Sequence, residues 1–427
     1  MKVGLEGVKI GIKGYKCYSE RKEIELGKVT ILMGPMGGGK SSLLEALALW
    51  GRVMSGEVKD EDDIFKGSLV NLNGMHLKDL INKETDKMEI SVLSSRENGI
   101  KVTYIPPEKW GISLFIRGNE RTLTKDKKLV DIEILSSIVS ALIESVKGRT
   151  PIEKDFENIK EHIDMNSLVE LERSSDLQED LNKILNLRFI SYISFHRPSP
   201  KELVSPEKER SSPDLRSYLE EREWSSDGSS LIQALINLII YRIGKKENIE
   251  NLEKILNDLN ICDGSPCIEP GLTDGIPTIK VKTKRGELDI RNLSCGERNC
   301  LLMILAAIQA KKGGILIMEE PEIGINIRAL SKLFQKLYSL DLYLLMSTHS
   351  LVPFSAIRSY IISDKKLEDK KAAFSNILLY YVNYPNLIKL ELDERGTPSL
   401  LPEKLPPEQL QEEVNILKST LFFLKEG

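Results

Sequence analysis

The chain runs to 427 residues, 41% hydrophobic and 29% charged, with a formal net charge of −4. That is too long for one small core and argues against long disorder, and the charge neither requires nor excludes a nucleic-acid partner. No apolar run reaches eighteen residues and the opening MKVGLEGVKIG lacks the apolar core of a secretory signal, so no membrane partner and a cytoplasmic location are expected.

Five cysteines, at 17, 262, 267, 295 and 300, form no metal-ligand spacing. Cys262 and Cys267 are near enough to pair in an oxidising compartment, but the odd count and missing signal favour free thiols.

Residues 1–33 read as short strands, VKIGIKGYKCY, KEIEL and KVTILM, the last feeding into glycines. SSLLEALALW (41–50) reads as a helix, and 51–86 is polar with weak signals. MEISVL, IKVTYI and ISLFIRG, within 88–118, predict a small antiparallel sheet. Ile132, Leu135, Val139, Leu142, Ile143 and Val146 recur at helical spacing, and a more polar helical stretch follows to Leu187. Together they suggest a hairpin of two helices, each roughly 40 Å long at most. FISYISF (189–195) is a buried-strand signal, and PSPKELVSPEKERSSP (198–213) is an exposed loop. Helices return at 229–243 and 247–260, then a hairpin-like pair, TIKVKT and GELDI.

Gly34-Pro35-Met36-Gly37-Gly38-Gly39-Lys40-Ser41 fits G-x-x-x-x-G-K-[ST] between a strand and a helix, where that pattern cradles phosphate. Its glycines let backbone N–H groups turn inward, and the helix start adds its positive dipole end. Lys40 is expected to reach the β- and γ-phosphates, and Ser41 to ligate Mg²⁺, with Ser42 completing the phosphate set. The bland alternative is a glycine-rich turn.

Leu293-Ser294-Cys295-Gly296-Glu297-Arg298 opens the helical run 299–310. Gly314 to Glu322, GILIMEEPE, reads as a buried strand ending in carboxylates; Leu342 to Ser350, LYLLMSTHS, reads as another, ending in His349. Taken singly, each also reads as a helix cap, a solvated turn or a polar strand end.

In this order behind a P-loop, L-S-x-G-E resembles the ABC signature, hhhhEE-P the Walker B strand and S-T-H-S the switch histidine. The E-E-P-E form, K-G-Y-K at 13–16 and DGSSLIQAL at 227–235 most resemble the SMC/RecF/OLD-like AAA ATPases. The resemblance spans about Val3 to His349, leaving out 51–86, 119–187 and the tail. It implies an α/β P-loop NTPase with an ABC-type head: a mixed sheet, an antiparallel β subdomain and a helical insertion at about 119–187. Lobe I would be 1–197, an exposed connection 198–230 and lobe II 231–427. The implied ligands are ATP and Mg²⁺. Glu319 would hold the Mg²⁺ shell with Ser41, Glu320 would deprotonate the attacking water, and His349 would sense the γ-phosphate. Ser294, Gly296 and Glu297 would meet the γ-phosphate bound by another subunit, so a homodimer clamping ATP is implied.

The family's lobe-junction glutamine is missing: Phe195 is followed by His196 and Arg197, which either fill that place or form a surface loop. Asn326 aligns with the dimer-facing aspartate that follows Walker B. Tyr15, Lys16, Tyr18 and Arg21 are candidate adenine readers or ordinary strand edge. Lys280, Lys282 and Lys284 alternate, with Arg285 next, as a phosphate-tracking stripe or a solvated hairpin face. Asp364, Glu368 and Asp369 read as a loop rather than a nuclease cluster. Two roles follow from the resemblance: DNA maintenance, repair or defence, with double-stranded DNA as partner, or regulation of a separate effector protein without DNA contact. A transporter motor fits the motif forms worst.

Overall fold

The computed structural model describes residues 7–56, 76–107, 109–123, 130–146, 162, 175–194, 246–273, 276–310, 313–363, 370–393 and 396–399. β1 (Val8–Lys13) and β2 (Lys22–Leu26) form an antiparallel pair. β3 (Val29–Met33) is buried along its whole length and leads through the glycine loop into α1 (Lys40–Val53). A 3₁₀ turn at Leu77–Leu80 precedes β4 (Met88–Leu93), β5 (Gly99–Ile105), β6 (Lys109–Ile116) and β7 (Asn119–Thr122).

The small antiparallel sheet expected at 88–118 forms, and it is part of a larger one. β4 pairs with β1, giving six antiparallel strands in the order β2-β1-β4-β5-β6-β7. Ile10 and Ile12 of β1 and Ile90 and Val92 of β4 bury the same face in one core, which a free-standing sheet would leave half uncovered. The start of the helical insertion also moves, because 119–122 is strand β7.

α2 (Ile132–Val146) and α3 (Ser175–Asn186) follow and pack on each other and on the sheet. Their described parts, of 15 and 12 residues, span roughly 22 and 18 Å. The stretches 147–161 and 163–174 between them lie outside the described residues, as does most of 51–86.

β8 (Ile190–Ser194) comes next. His196, Arg197, the connection at 198–230, DGSSLIQAL and the helix expected at 229–243 lie outside the described residues. α4 (Lys246–Asp258) leads to an antiparallel trio, β9 (Ile268–Thr273), β10 (Ile276–Thr283) and β11 (Gly286–Asp289). Here the free-thiol expectation fails: Cys262 and Cys267 are joined in a disulfide. Buried Glu253 of α4 accepts N–H bonds from Cys267 (2.9 Å) and Ile268 (3.2 Å), folding the loop back so that the two sulfurs meet.

The remaining elements are α5 (Cys295–Gln309), β12 (Ile315–Glu319), α6 (Ile327–Ser339), β13 (Tyr343–Thr348), α7 (Val352–Ser363), α8 (Lys370–Ser375), β14 (Ile377–Asn383), β15 (Asn386–Leu392) and β16 (Pro398–Ser399). Asp364, Glu368 and Asp369 lie outside the described residues. The central mixed sheet has the order β16-β15-β14-β3-β13-β12-β8, and the five strands from β14 to β8 are parallel.

Alternation along the parallel strands separates two cores. Leu32, Leu345, Ile315 and Ile317 face α1 and the antiparallel sheet, whereas Ile31, Leu344, Met346, Leu316 and Met318 face α5, α6 and α7. Strands covered on both faces need continuous apolar runs, which is why VTILM and ILIM read so clearly. Phe334 of α6 is fully buried in the second core. Phe334→Ala is expected to cost about 3–5 kcal/mol in chemical denaturation. A loss below about 1 kcal/mol would show that α6 is not packed as described.

Candidate active site

The nucleotide cradle is a loop whose shape requires glycine. Gly34 has φ 146°, and a Cβ there would overlap the Val382 carbonyl of β14. Gly38 presses on the same carbonyl, and its own carbonyl accepts the Tyr384 N–H at 3.0 Å. The β14–β15 turn therefore backs the loop, a contact that nothing in the motif announces.

α1 begins after left-handed Gly39 with no side-chain cap and no acidic residue in its first turn. Its early N–H groups and positive dipole end thus face an anion position, as phosphate needs. Lys40 Nζ lies within the loop, donating to the Gly34 and Pro35 carbonyls at 2.9 Å each. Met36 and Gly37 form the exposed outer rim, while Ser41 and Ser42 lie in the first turn of the helix.

β13 lies between β3 and β12, so the P-loop, the acidic end of β12 and His349 emerge at one edge. Glu320 has a left-handed backbone, φ 49°, held by its N–H bond to Ser347 O at 2.8 Å. This bend turns its side chain toward the end of β13: His349 Nε2 donates to Glu320 Oε1 at 2.8 Å. His349 Nδ1 lies 3.0 Å from Gly34 O and 3.3 Å from Lys40 Nζ. One imidazole thus joins the candidate base to the phosphate loop.

Glu319 is buried at 6% exposure, and its Oε1 has no hydrogen-bond partner. A buried carboxylate oxygen left unpaired is costly unless something binds it, so this donor set suits a hard divalent cation shared with Ser41. Glu45, on α1, is equally buried and carries an ion pair from Lys16. Burial raises the Glu45 carboxyl above its ordinary value, and Lys16 offsets only part of that rise.

A family model described as an AAA ATPase domain matches residues 8–352. The chain belongs to this AAA ATPase domain family. No curated protein matches it. Among solved structures, the SMC head domain from Thermotoga maritima matches at 13% identity over 90% of this chain and 98% of that one, with a TM-score of 0.40. An Smc head domain with an extended coiled coil, bound to the C-terminal domain of ScpA derived from Pyrococcus furiosus, matches at 12% identity over 97% and 99%, with a TM-score of 0.43.

The segment whose sequence resembles a signature motif, residues 293–298, lies apart from the cradle in sequence, at the start of α5. Ser294 caps that helix, accepting from Glu297 N–H at 3.3 Å, while Glu297 accepts from Ser294 N at 2.8 Å. Ser294 and Cys295 are exposed. Gly296 packs so closely on Gly324, beyond β12, that any Cβ would overlap the Gly324 carbonyl. Glu297 also takes two bonds from Arg285, at 2.8 and 2.7 Å. Burial pushes the Glu297 carboxyl up, but the Ser294 and Arg285 bonds outweigh it and hold it below the ordinary range.

Other sequence candidates are placed differently. Tyr15 and Tyr18 are 0% and 1% exposed, so neither is free to stack on a base: Tyr15 faces Glu45, and Tyr18 donates to Gly39 O at 3.1 Å. Arg21 bonds Glu23 and Ser91. Asn326 caps α6 by accepting from Ala329 N at 3.0 Å. Lys282 and Lys284 are exposed, but Lys280 pairs with Glu287 at 2.9 Å.

Glu322, the last residue of E-E-P-E, is a structural partner that its motif position alone did not reveal. Its Oε1 accepts from the hydroxyls of Thr348 and Ser350, on either side of His349. Burial pushes the Glu322 carboxyl above its ordinary 4.5, against those bonds. A carboxyl raised in the folded state favours folding below its unfolded pKa, and loses that contribution as pH rises through the folded value. Ionised Glu322 therefore weighs against the fold near neutrality. Glu322→Gln, which keeps an acceptor, is expected to melt at or above the parent there, with the advantage vanishing on acidification toward 4.5. A parent that melts higher at neutral pH would show that the strand end needs the carboxylate itself.

Proposed function

We propose that the chain is an ATP-hydrolysing switch whose two copies close head-to-tail on ATP. The observation that carries this reading is His349, bonded to Glu320 on one side and to the P-loop carbonyl of Gly34 on the other.

In the proposed reaction, the P-loop amides and Lys40 hold the β- and γ-phosphates of ATP, and Ser41 with Glu319 holds Mg²⁺. Bound Mg²⁺ would supply positive charge against the charge developing on the phosphate oxygens. Glu320 takes a proton from a water in line with the γ-phosphate. His349 keeps the carboxylate aimed and reports the γ-phosphate to the rest of the sheet. Exposed Ser294, with Gly296 and Glu297, offers the start of α5 to the γ-phosphate held by a second copy. ATP then favours the closed pair and hydrolysis releases it.

The wider role we propose is DNA maintenance, repair or defence, supported by exposed Lys282 of β10 and Lys284 of the turn that follows it. Control of a separate effector protein is the second reading. It is favoured by the ion pairs that neutralise Lys280 on β10 and Arg285 in the β10–β11 turn.

Lys40→Ala is expected to abolish ATP binding. Glu320→Gln should bind ATP, lose hydrolysis by about 10²–10⁴-fold and run as a dimer on sizing with ATP. Ser294→Trp should bind ATP as a monomer but fail to dimerise. Parental hydrolysis in Glu320→Gln would refute the base assignment. In the same sizing experiment, double-stranded DNA that co-migrates supports the DNA role, and DNA without effect at low and moderate salt moves the reading to the effector.

A further inference from the structure

Besides Glu320, a second residue beside the site, Lys16, holds a left-handed backbone, with φ 47°. Non-glycine residues keep that conformation only where their surroundings over-determine it, and such positions cluster at functional sites. Lys16 is pinned on both sides: its N–H donates to Leu80 O at 2.7 Å, and Asn82 Nδ2 donates to its carbonyl at 2.6 Å. The clamp directs the ammonium onto Glu45, whose Oε2 also lies 3.5 Å from the Tyr15 hydroxyl.

Glu45 follows Ser41 by four residues on α1, so the two share a helix face. Glu319 has the strand parity of Ile317, which lies in the core beneath α1 and pairs with Tyr192 of β8, so buried Glu319, buried Glu45 and the Tyr192 hydroxyl share that side of the sheet. Two carboxylates in one buried region repel unless positive charge lies among them. Lys16 serves Glu45, while among the described residues Glu319 has beside it only the uncharged Tyr192 hydroxyl as a buried donor, and its Oε1, more than nine-tenths buried, makes no hydrogen bond of normal length. The region holds more acceptor charge than its hydrogen bonds satisfy, on the face of α1 that begins with Ser41. A hard divalent cation that keeps several of its waters suits such a place.

We propose that Glu45 is a further carboxylate of the divalent-cation site of Ser41 and Glu319, acting through the ion's waters, with Lys16 as its counter-ion. This rests on the Mg²⁺–ATP reading above and adds two residues to its metal site. Lys16 thereby sets the cation affinity: it offsets one of the two negative charges that the ion meets.

The test is a Mn²⁺ titration followed by electron paramagnetic resonance, on full-length protein saturated with ADP, with nucleotide affinity measured in parallel in EDTA. Glu45→Gln removes a negative charge and is expected to raise the half-saturating Mn²⁺ concentration by about tenfold. Lys16→Met removes the counter-ion and should lower it several-fold. The double variant should return to within about twofold of the parent. ADP affinity in EDTA and the melting temperature without metal check that each variant is folded, and Lys16→Gln replaces Lys16→Met if the latter is not. Single variants that shift in the same direction, or leave the Mn²⁺ midpoint unmoved, overturn the proposal and reduce the pair to a structural tie. A parent that binds no nucleotide, with or without metal, overturns the ATP reading and this proposal with it.

Discussion

β13 is hydrogen-bonded between β3 and β12, and all three run parallel. Parallel strands deliver their C-terminal ends to one edge, where ligands of open α/β sheets gather. From that constraint three segments far apart in the chain become neighbours: the glycine loop, the carboxylates after β12 and the histidine after β13. The registers Thr348 with Met33 and Glu319 with Ser347 set their relative heights. A shift of one residue would turn each strand's inward side chains to the opposite core.

The edge concentrates charge that the sheet itself cannot satisfy. Glu319, Glu320 and Glu45 are each at least nine-tenths buried, and the cations near them are Lys40 and Lys16. Burying carboxylates in a medium of low dielectric costs free energy unless each is paired or bonded. Glu320 meets His349, Glu45 meets Lys16, and one oxygen of Glu319 is left over. The left-handed backbones of Lys16 and Glu320 are local strain at the two places where a side chain must be aimed.

The signature turn follows a different economy. Ser294 and Glu297 satisfy each other across the first turn of α5, and Arg285 fixes Glu297 from the β10–β11 hairpin. That network gives α5 a defined start with its serine exposed, whereas α1 begins uncapped at left-handed Gly39. Two helices of one chain thus begin in different ways, one with bare N–H groups and one with a capped, exposed start.

Much of this was written locally. The glycine spacing, the apolar runs of β3, β12 and β13, the carboxylates after β12 and the histidine after β13 depend on near neighbours and on burial from both faces, so they were legible in the amino-acid sequence. Contacts between distant segments were not. The β14–β15 turn behind the P-loop joins Tyr384 to Gly38 and Ser19, across more than three hundred residues. β4 closes onto β1, Glu253 draws Cys267 toward Cys262, and Glu322 holds the hydroxyls beside His349. Tyr15 and Tyr18 looked like free aromatics on a strand edge until α1 and the glycine loop covered them. The sequence by itself determined which chemical groups the protein carries and on which strand ends; only the tertiary structure decided their partners, because pairing and burial of charge depend on chain segments whose approach no local pattern encodes.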